Sequence, residues 1–227
     1  MKIYILHGWS YSLDKWEPFV SILKRKKLST VLLKIPGLTE KIDAPWAMDN
    51  YVSWLSEKLE KEKDKVILIG HSNGGRIAMA FAMKHKNKVE KLILIDSAGI
   101  HHNEPYMRYK RKVFGMIAKN GRKILNNKIG KNILYFLARE GDYKDADGNM
   151  KKTMVNLLEW DKNLVPEKID IPTLIIWGGK DGITPLSDGK VLHQRIINSK
   201  LSIIDDARHS PQFTHSEKVA EIIYKNL

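Results

Sequence analysis

Val66-Ile-Leu-Ile-Gly-His-Ser-Asn-Gly-Gly75 is the stretch on which the fold turns. Its four leading apolar residues read as a short buried strand. Gly70-His71-Ser72-Asn73-Gly74 follows at once, and Arg76 to Lys86 then carries Ile77, Met79, Ala80, Phe81 and Met83 at helical spacing. Strand, G-x-S-x-G turn and helix are the setting a nucleophilic serine requires. Such a turn holds its serine at strained backbone angles, and Gly70 and Gly74 keep Cβ atoms away where strand and helix nearly touch. Ser72 would stand at the positive end of the helix. The plainer reading is a glycine-rich turn with an ordinary serine, because G-x-S-x-G strings also arise by chance. The rest of the chain decides between the two.

Upstream, Lys2 to Leu6 reads as a buried strand that runs directly into His7-Gly8-Trp9. Leu13 to Lys26 has a helical apolar face in Trp16, Phe19, Val20, Ile22 and Leu23. Thr30 to Ile35 is a second strand closed by Pro36-Gly37, and Met48 to Glu60 a second amphipathic helix, with Asp49 or a neighbour as its cap. Downstream, Leu92 to Ile95 is a strand ending in Asp96-Ser-Ala-Gly99. The alternation then stops. Residues 101–162 read as a helical insertion, with Tyr106 to Leu137 interrupted only at glycines and Lys151 to Leu158 a short helix. The strand pattern returns at Thr173 to Trp177, and Gly178-Gly-Lys-Asp-Gly182 follows it. Leu186 to Ile196 is helical, Leu201 to Ile204 is the last strand, and Ser216 to Tyr224 closes the chain as a helix.

Strands alternating with helices predict a mostly parallel α/β sheet of about six strands with helices on both faces. Ligands of such sheets lie beyond the carboxyl ends of the strands. His7-Gly8-Trp9, Ser72, Asp96, Asp181 and His209 all fall just past a strand end, so one sheet edge gathers them. A serine hydroxyl needs a base near neutral pKa and a group that holds that base in the right tautomer. Of the eight histidines, His209 lies in the loop after the last strand. His71 is inside the turn itself, and His85, His101, His102, His193 and His215 fall on helices, helix starts or the insertion. The orienting acid is expected to be Asp181, with Asp96 as its competitor; a turn aspartate before Gly182 is the plain alternative. Two backbone N–H groups must face a developing oxyanion, and Asn73 and Trp9 occupy the positions to supply them.

The composition bounds the rest. A chain of 227 residues with 43% hydrophobic and 29% charged residues fits one globular domain. With no cysteine, disulfides, cysteine metal sites and cysteine nucleophiles are excluded. No apolar run approaches the roughly 20 residues of a membrane span. The leading apolar run stops at Leu6, too short for a signal peptide, so a cytoplasmic location is expected. The net charge of +13 is mostly scattered lysine with little aromatic interleaving. It reads as a solvated surface, and nucleic acid is not the expected partner.

Together these segments resemble the α/β-hydrolase superfamily, in its lid-bearing, esterase-like branch. The resemblance rests on Ile5-Leu-His-Gly-Trp9, Ile69-Gly-His-Ser-Asn-Gly-Gly-Arg76, Lys88 to Gly99, Pro172-Thr-Leu-Ile-Ile-Trp-Gly-Gly-Lys-Asp181 and Ala207-Arg-His-Ser-Pro211. The order Ser72, Asp181, His209 is the order of that superfamily. The resemblance implies a serine hydrolase with that triad and with Trp9 and Asn73 as oxyanion donors. It also implies a core at 1–100 and 163–227, a helical lid at 101–162, and no metal or organic cofactor. His7, Gly8, Gly70, His71 and Gly74 complete the oxyanion loop and the elbow. Many members have further strands before the one ending in His-Gly. Only six residues precede His7 here, so a small sheet is expected.

A small-molecule ester or related acyl compound is the expected substrate. Cleavage of a carbon–carbon bond in a diketone-like compound is the alternative on the same triad. A non-catalytic binding protein on this scaffold is the alternative of another kind. The insertion is strongly basic, with Arg108, Lys110, Arg111 and Lys112 in one short stretch, and could admit a carboxylate beside an apolar chain; an amphipathic lid with its lysines in water is the plainer expectation.

Overall fold

The structure, a computed structural model, describes residues 2–10, 12–101 and 148–227. Six strands form one sheet: β1 (Lys2–Leu6), β2 (Ser29–Leu32), β3 (Val66–His71), β4 (Val89–Ile95), β5 (Thr173–Gly178) and β6 (Ser199–Ile204). Their order is β2-β1-β3-β4-β5-β6 and every pairing is parallel. The helices are α1 (Glu17–Arg25), α2 (Met48–Lys58), α3 (Asn73–Lys84), α4 (Gly148–Trp160), α5 (Leu186–Arg195), α6 (Pro211–Thr214) and α7 (Ser216–Lys225).

The period-two alternation of strand side chains builds two cores. Ile5, Ile69, Ile93 and Leu174 are register partners across four strands. They pack with Phe19 and Leu23 of α1 and Val219 and Ile223 of α7. The residues between them, Tyr4, Leu6, Leu68, Leu94 and Trp177, face the other way, against α2, α3, α4 and α5. Parallel crossovers are right-handed. The β1–α1–β2 step runs outward and the β2–α2–β3 step runs back, so α1 and α2 fall on opposite faces. The strand order therefore reverses between β1 and β3. In sheets of this kind ligands bind at that point, beyond the ends of the two strands.

Element boundaries differ from expectation where hydrogen bonding, not hydrophobicity, sets them. Strand β2 ends at Leu32, although Leu33 N–H still donates to Ile5. The Ile35 carbonyl then accepts the N–H groups of Leu38, Thr39 and Glu40 in a turn. Helix α3 begins at Asn73, because the serine turn leads straight into it. Asp49 does not cap α2. The side chain of Asn50 reaches back to accept the Ala47 N–H at 2.8 Å, while Asp49 pairs with Lys84 at 2.6 Å on the surface.

Most of the expected insertion at 101–162, including its basic stretch, lies outside the described residues. Its final helix, α4, packs on the core. Thr153 accepts the Trp46 N–H at 2.8 Å and Asn156 donates to the Trp46 carbonyl at 3.0 Å. Among the described residues no helix is long and apolar enough to cross a membrane.

Candidate active site

Ser72 sits between β3 and α3 at φ 51° and ψ −119°, a conformation L-residues rarely adopt. Neighbouring backbone fixes it there. Its N–H donates to Ile95, and its carbonyl accepts from Gly75, Arg76 and Ala98. A Cβ on Gly74 would collide with the Leu6 carbonyl of β1. One on Gly8 would stand 2.8 Å from His71 Nδ1 and 3.0 Å from Ser72 Cβ. Glycine at 8 and 74 thus lets the loop after β1 close against the serine turn.

His209 follows β6 in a loop that rests on the Gly178–Asp181 turn, where Lys180 N–H donates to the Ala207 carbonyl at 2.9 Å. Its Nε2 lies 3.1 Å from Ser72 Oγ and its Nδ1 2.8 Å from Asp181 Oδ2. Serine, imidazole and carboxylate form one buried relay from three separate strand ends. Burial pushes the Asp181 carboxyl up. The hydrogen bond and charge of His209, the Ile183 N–H and the Thr184 hydroxyl together outweigh it and hold the group below its ordinary range. Asp181 Oδ1 also accepts from Thr184 N–H, so this side chain closes its own turn while serving His209.

Asp96, the competing acid, is fully buried beside the relay. The three side chains Asp96, Asp181 and His209 have ligating atoms within 4.8 Å of one another. Asp96 Oδ1 accepts the Gly178 N–H at 2.8 Å, and Oδ2 has no partner among the described residues. Burial first, and then the Asp181 charge, raises its pKa to about 8. A neutral carboxyl here braces the end of β5 and leaves the imidazole to Asp181.

The backbone N–H groups of Trp9 and Asn73, at the start of the β1 loop and of α3, have no partner among the described residues. Both residues are buried. Unpaired buried donors are costly unless something fills them, and a developing oxyanion beside Ser72 would. His7 shapes this loop from below. Its Nδ1 lies 2.7 Å from the Gly8 carbonyl and its Nε2 3.3 Å from Thr39 Oγ1, and burial lowers its pKa to about 4. His71 Nε2 lies 2.8 Å from the His209 carbonyl, and burial lowers its pKa to about 3. Of the remaining histidines, His85 stacks on Phe81, His193 meets Ser199 and His215 meets Asp206.

Every residue singled out from the sequence for this site falls at or after the carboxyl end of β1, β3, β4, β5 or β6. Sequence reasoning missed three others. Thr184 Oγ1 donates to Asp181 Oδ2 at 2.7 Å and lies 3.2 Å from His209 Nδ1. The Asp-x-x-Thr spacing at 181–184 is a turn signal that could have found it. Arg76 and Asp161 form a buried pair behind Asn73, and nothing local in the sequence joins them.

The family model for the alpha/beta hydrolase fold matches residues 3–216. The chain belongs to the α/β hydrolase family. Among known proteins, this α/β hydrolase is 28% identical to a pimeloyl-[acyl-carrier protein] methyl ester esterase of Neisseria meningitidis over 97% of the chain and 75% of that protein. It is 24% identical to a 2-hydroxy-6-oxononadienedioate/2-hydroxy-6-oxononatrienedioate hydrolase of Pseudomonas putida, over 92% and 70%. A thermophilic esterase from Thermogutta terrifontis shares the fold at a TM-score of 0.75 and 20% identity, over 99% of this chain and 88% of that one. Its Ser72–His209–Asp181 relay makes the α/β hydrolase described here a serine hydrolase.

Proposed function

We propose that this α/β hydrolase cleaves carboxylic esters by two-step acyl transfer. The observation that carries the reading is the continuous relay from Ser72 Oγ through His209 to Asp181 Oδ2, beside two backbone N–H groups that have no partner among the described residues. In the proposed first step Ser72 Oγ attacks the ester carbonyl and its proton passes to His209 Nε2. Asp181 holds the imidazolium through Nδ1–H, and the N–H groups of Trp9 and Asn73 receive the oxyanion. The C–O bond to the alcohol breaks, and His209 returns the proton to that oxygen. Water then attacks the acyl-serine by the same route, its proton going to His209 and finally back to Ser72. His7, Gly8, Gly70, His71 and Gly74 set the geometry and do no proton chemistry.

The Neisseria relative is named for a methyl ester carried on an acyl-carrier protein. A methyl ester of a carrier-bound acyl chain is therefore the first substrate to try. A net charge of +13 would favour encounter with a carrier of opposite sign. A cysteine-free chain suits a reducing cytoplasm.

The second reading, hydrolysis of a carbon–carbon bond in a dienoate ketone, is favoured by the Pseudomonas relative. Both readings need the same activated serine. The test is labelling with a fluorophosphonate probe, with the modified peptide located by mass spectrometry, followed by rates on short aryl esters and dienoate ketones. The expected result is an adduct on Ser72 that is lost in His209→Ala, with turnover of the esters. A folded wild-type protein that takes up no probe would overturn the reading.

A further inference from the structure

Arg76 lies on α3 one turn beyond Ser72, and only 7% of it is exposed. Its Nε and Nη2 donate to Asp161 Oδ1 and Oδ2 at 2.6 and 3.0 Å, and its Nη1 donates to Asn73 Oδ1 at 2.6 Å. Asp161 is also 7% exposed. It opens the 3-10 turn Asp161–Asn163, immediately after α4, where the chain returns from 101–162 towards β5. A guanidinium has five N–H donors and no acceptor. The contact therefore fixes the Asn73 carboxamide with its oxygen towards Arg76. Asn73 Nδ2 is left buried without a partner among the described residues. Among the described residues the carboxamide is held from one side only, by Arg76, and Arg76 is in turn held bidentately by Asp161.

We infer that Arg76 and Asp161 are positioning residues for the oxyanion site. This rests on the proposed ester chemistry, in which the Asn73 N–H receives the oxyanion. The pair ties three segments together: the first residue of α3, the next turn of that helix, and the return of the insertion. The placement of the Asn73 N–H then depends on how the return segment is seated. Rate is set partly by a contact that no substrate atom touches. A pair that served stability alone would sit as well anywhere along α3. This one bonds the residue after the nucleophile.

The test compares wild type, Asp161→Asn, Asp161→Glu and Asn73→Ala for Ser72 labelling by a fluorophosphonate, for kcat and KM on a short aryl ester, and for melting temperature. In Asp161→Asn, kcat and the labelling rate are expected to fall together by about tenfold, a fraction of what losing a whole oxyanion donor costs. KM should stay within about twofold, since the lost interaction is made in the transition state. Asp161→Glu should recover part of kcat. Asn73→Ala keeps both the backbone N–H and the Arg76–Asp161 pair, so it reads positioning even if the Asp161 variants fail to fold, and its kcat should also fall. Unchanged kcat in folded Asp161→Asn, or in Asn73→Ala where the former does not fold, would overturn the inference. An unlabelled, folded wild type would instead overturn the ester reading on which it depends.

Discussion

His71 Nε2 lies 2.8 Å from the main-chain carbonyl of His209, so the residue before the nucleophile holds the loop that carries the base. The carbonyl only accepts, so Nε2 carries the proton, and burial keeps the ring neutral. The two rings are 5.0 Å apart, with Trp16 and Phe213 against His71. In His71→Phe the stacking volume survives but the carbonyl loses its donor. The cost of a buried unsatisfied acceptor is about 1–3 kcal/mol. Part of it should appear as misplacement of His209, with Ser72 labelling slowed about tenfold. A labelling rate equal to that of wild type would mean that the loop keeps its place without this bond.

Gly8 makes a sharper demand. Its missing side chain leaves room for His71 Nδ1 and Ser72 Cβ at 2.8 and 3.0 Å from where a Cβ would stand. Neither neighbour can yield without moving the relay or the loop that bears Trp9. Gly8→Ala is expected to lower kcat on aryl esters by about a hundredfold, comparable to removing one oxyanion donor. The circular dichroism spectrum should stay native. Retained activity would show that the loop after β1 has more slack than this packing allows.

Ser72 holds its place at the strand end at the cost of backbone strain. A non-glycine residue at φ 51° costs about 1–3 kcal/mol. Ser72→Ala and Ser72→Gly both remove the nucleophile, but only glycine relieves the strain. The usual advantage of alanine through the unfolded chain is about 0.4–1 kcal/mol. The glycine variant should therefore be the more stable of the two inactive proteins by about 1 kcal/mol in urea unfolding. An alanine variant equal to or above the glycine variant would count against strain at this residue.

The sheet and relay were legible because each was written locally. Apolar runs of four to six residues marked the strands, and Ser72, Asp181 and His209 each stand in the turn or loop that follows one. Choosing Asp181 over Asp96 needed more than position, since both follow strands. Spatially, the Gly178 N–H occupies Asp96 Oδ1 while Asp181 Oδ2 reaches the imidazole. The cap of α2 was legible only as Asp49 or a neighbour, because propensity does not rank Asp49 against Asn50, the residue that accepts the Ala47 N–H. The Arg76–Asp161 pair was invisible because its partners lie 85 positions apart, and only the folded chain brings them together.

Asp96 gives the fold a pH dependence opposite in sign to that of its buried histidines. In the folded protein its carboxyl is raised to about 8 by burial and then by Asp181. In the unfolded chain it ionises near its ordinary 3.8. Below about pH 4 both states hold the proton. As pH rises towards 8 only the folded state does, so stability falls, by at most about 1.4 kcal/mol per pH unit for one proton. His7 and His71, lowered to about 4 and about 3, act the other way. Below about 6.5 the unfolded chain takes up protons that the fold refuses, and stability falls with falling pH. Asp96→Asn keeps the acceptor for Gly178 N–H and cannot ionise. Relative to wild type its stability should be near equal at pH 4 and should climb up to pH 8, then level off. The histidine effect is common to both proteins and cancels in the difference. Urea unfolding across that range measures it directly. A difference that stays flat between pH 4 and 8 would mean that Asp96 is ionised in the folded protein, with its charge met by a group beyond the Gly178 N–H.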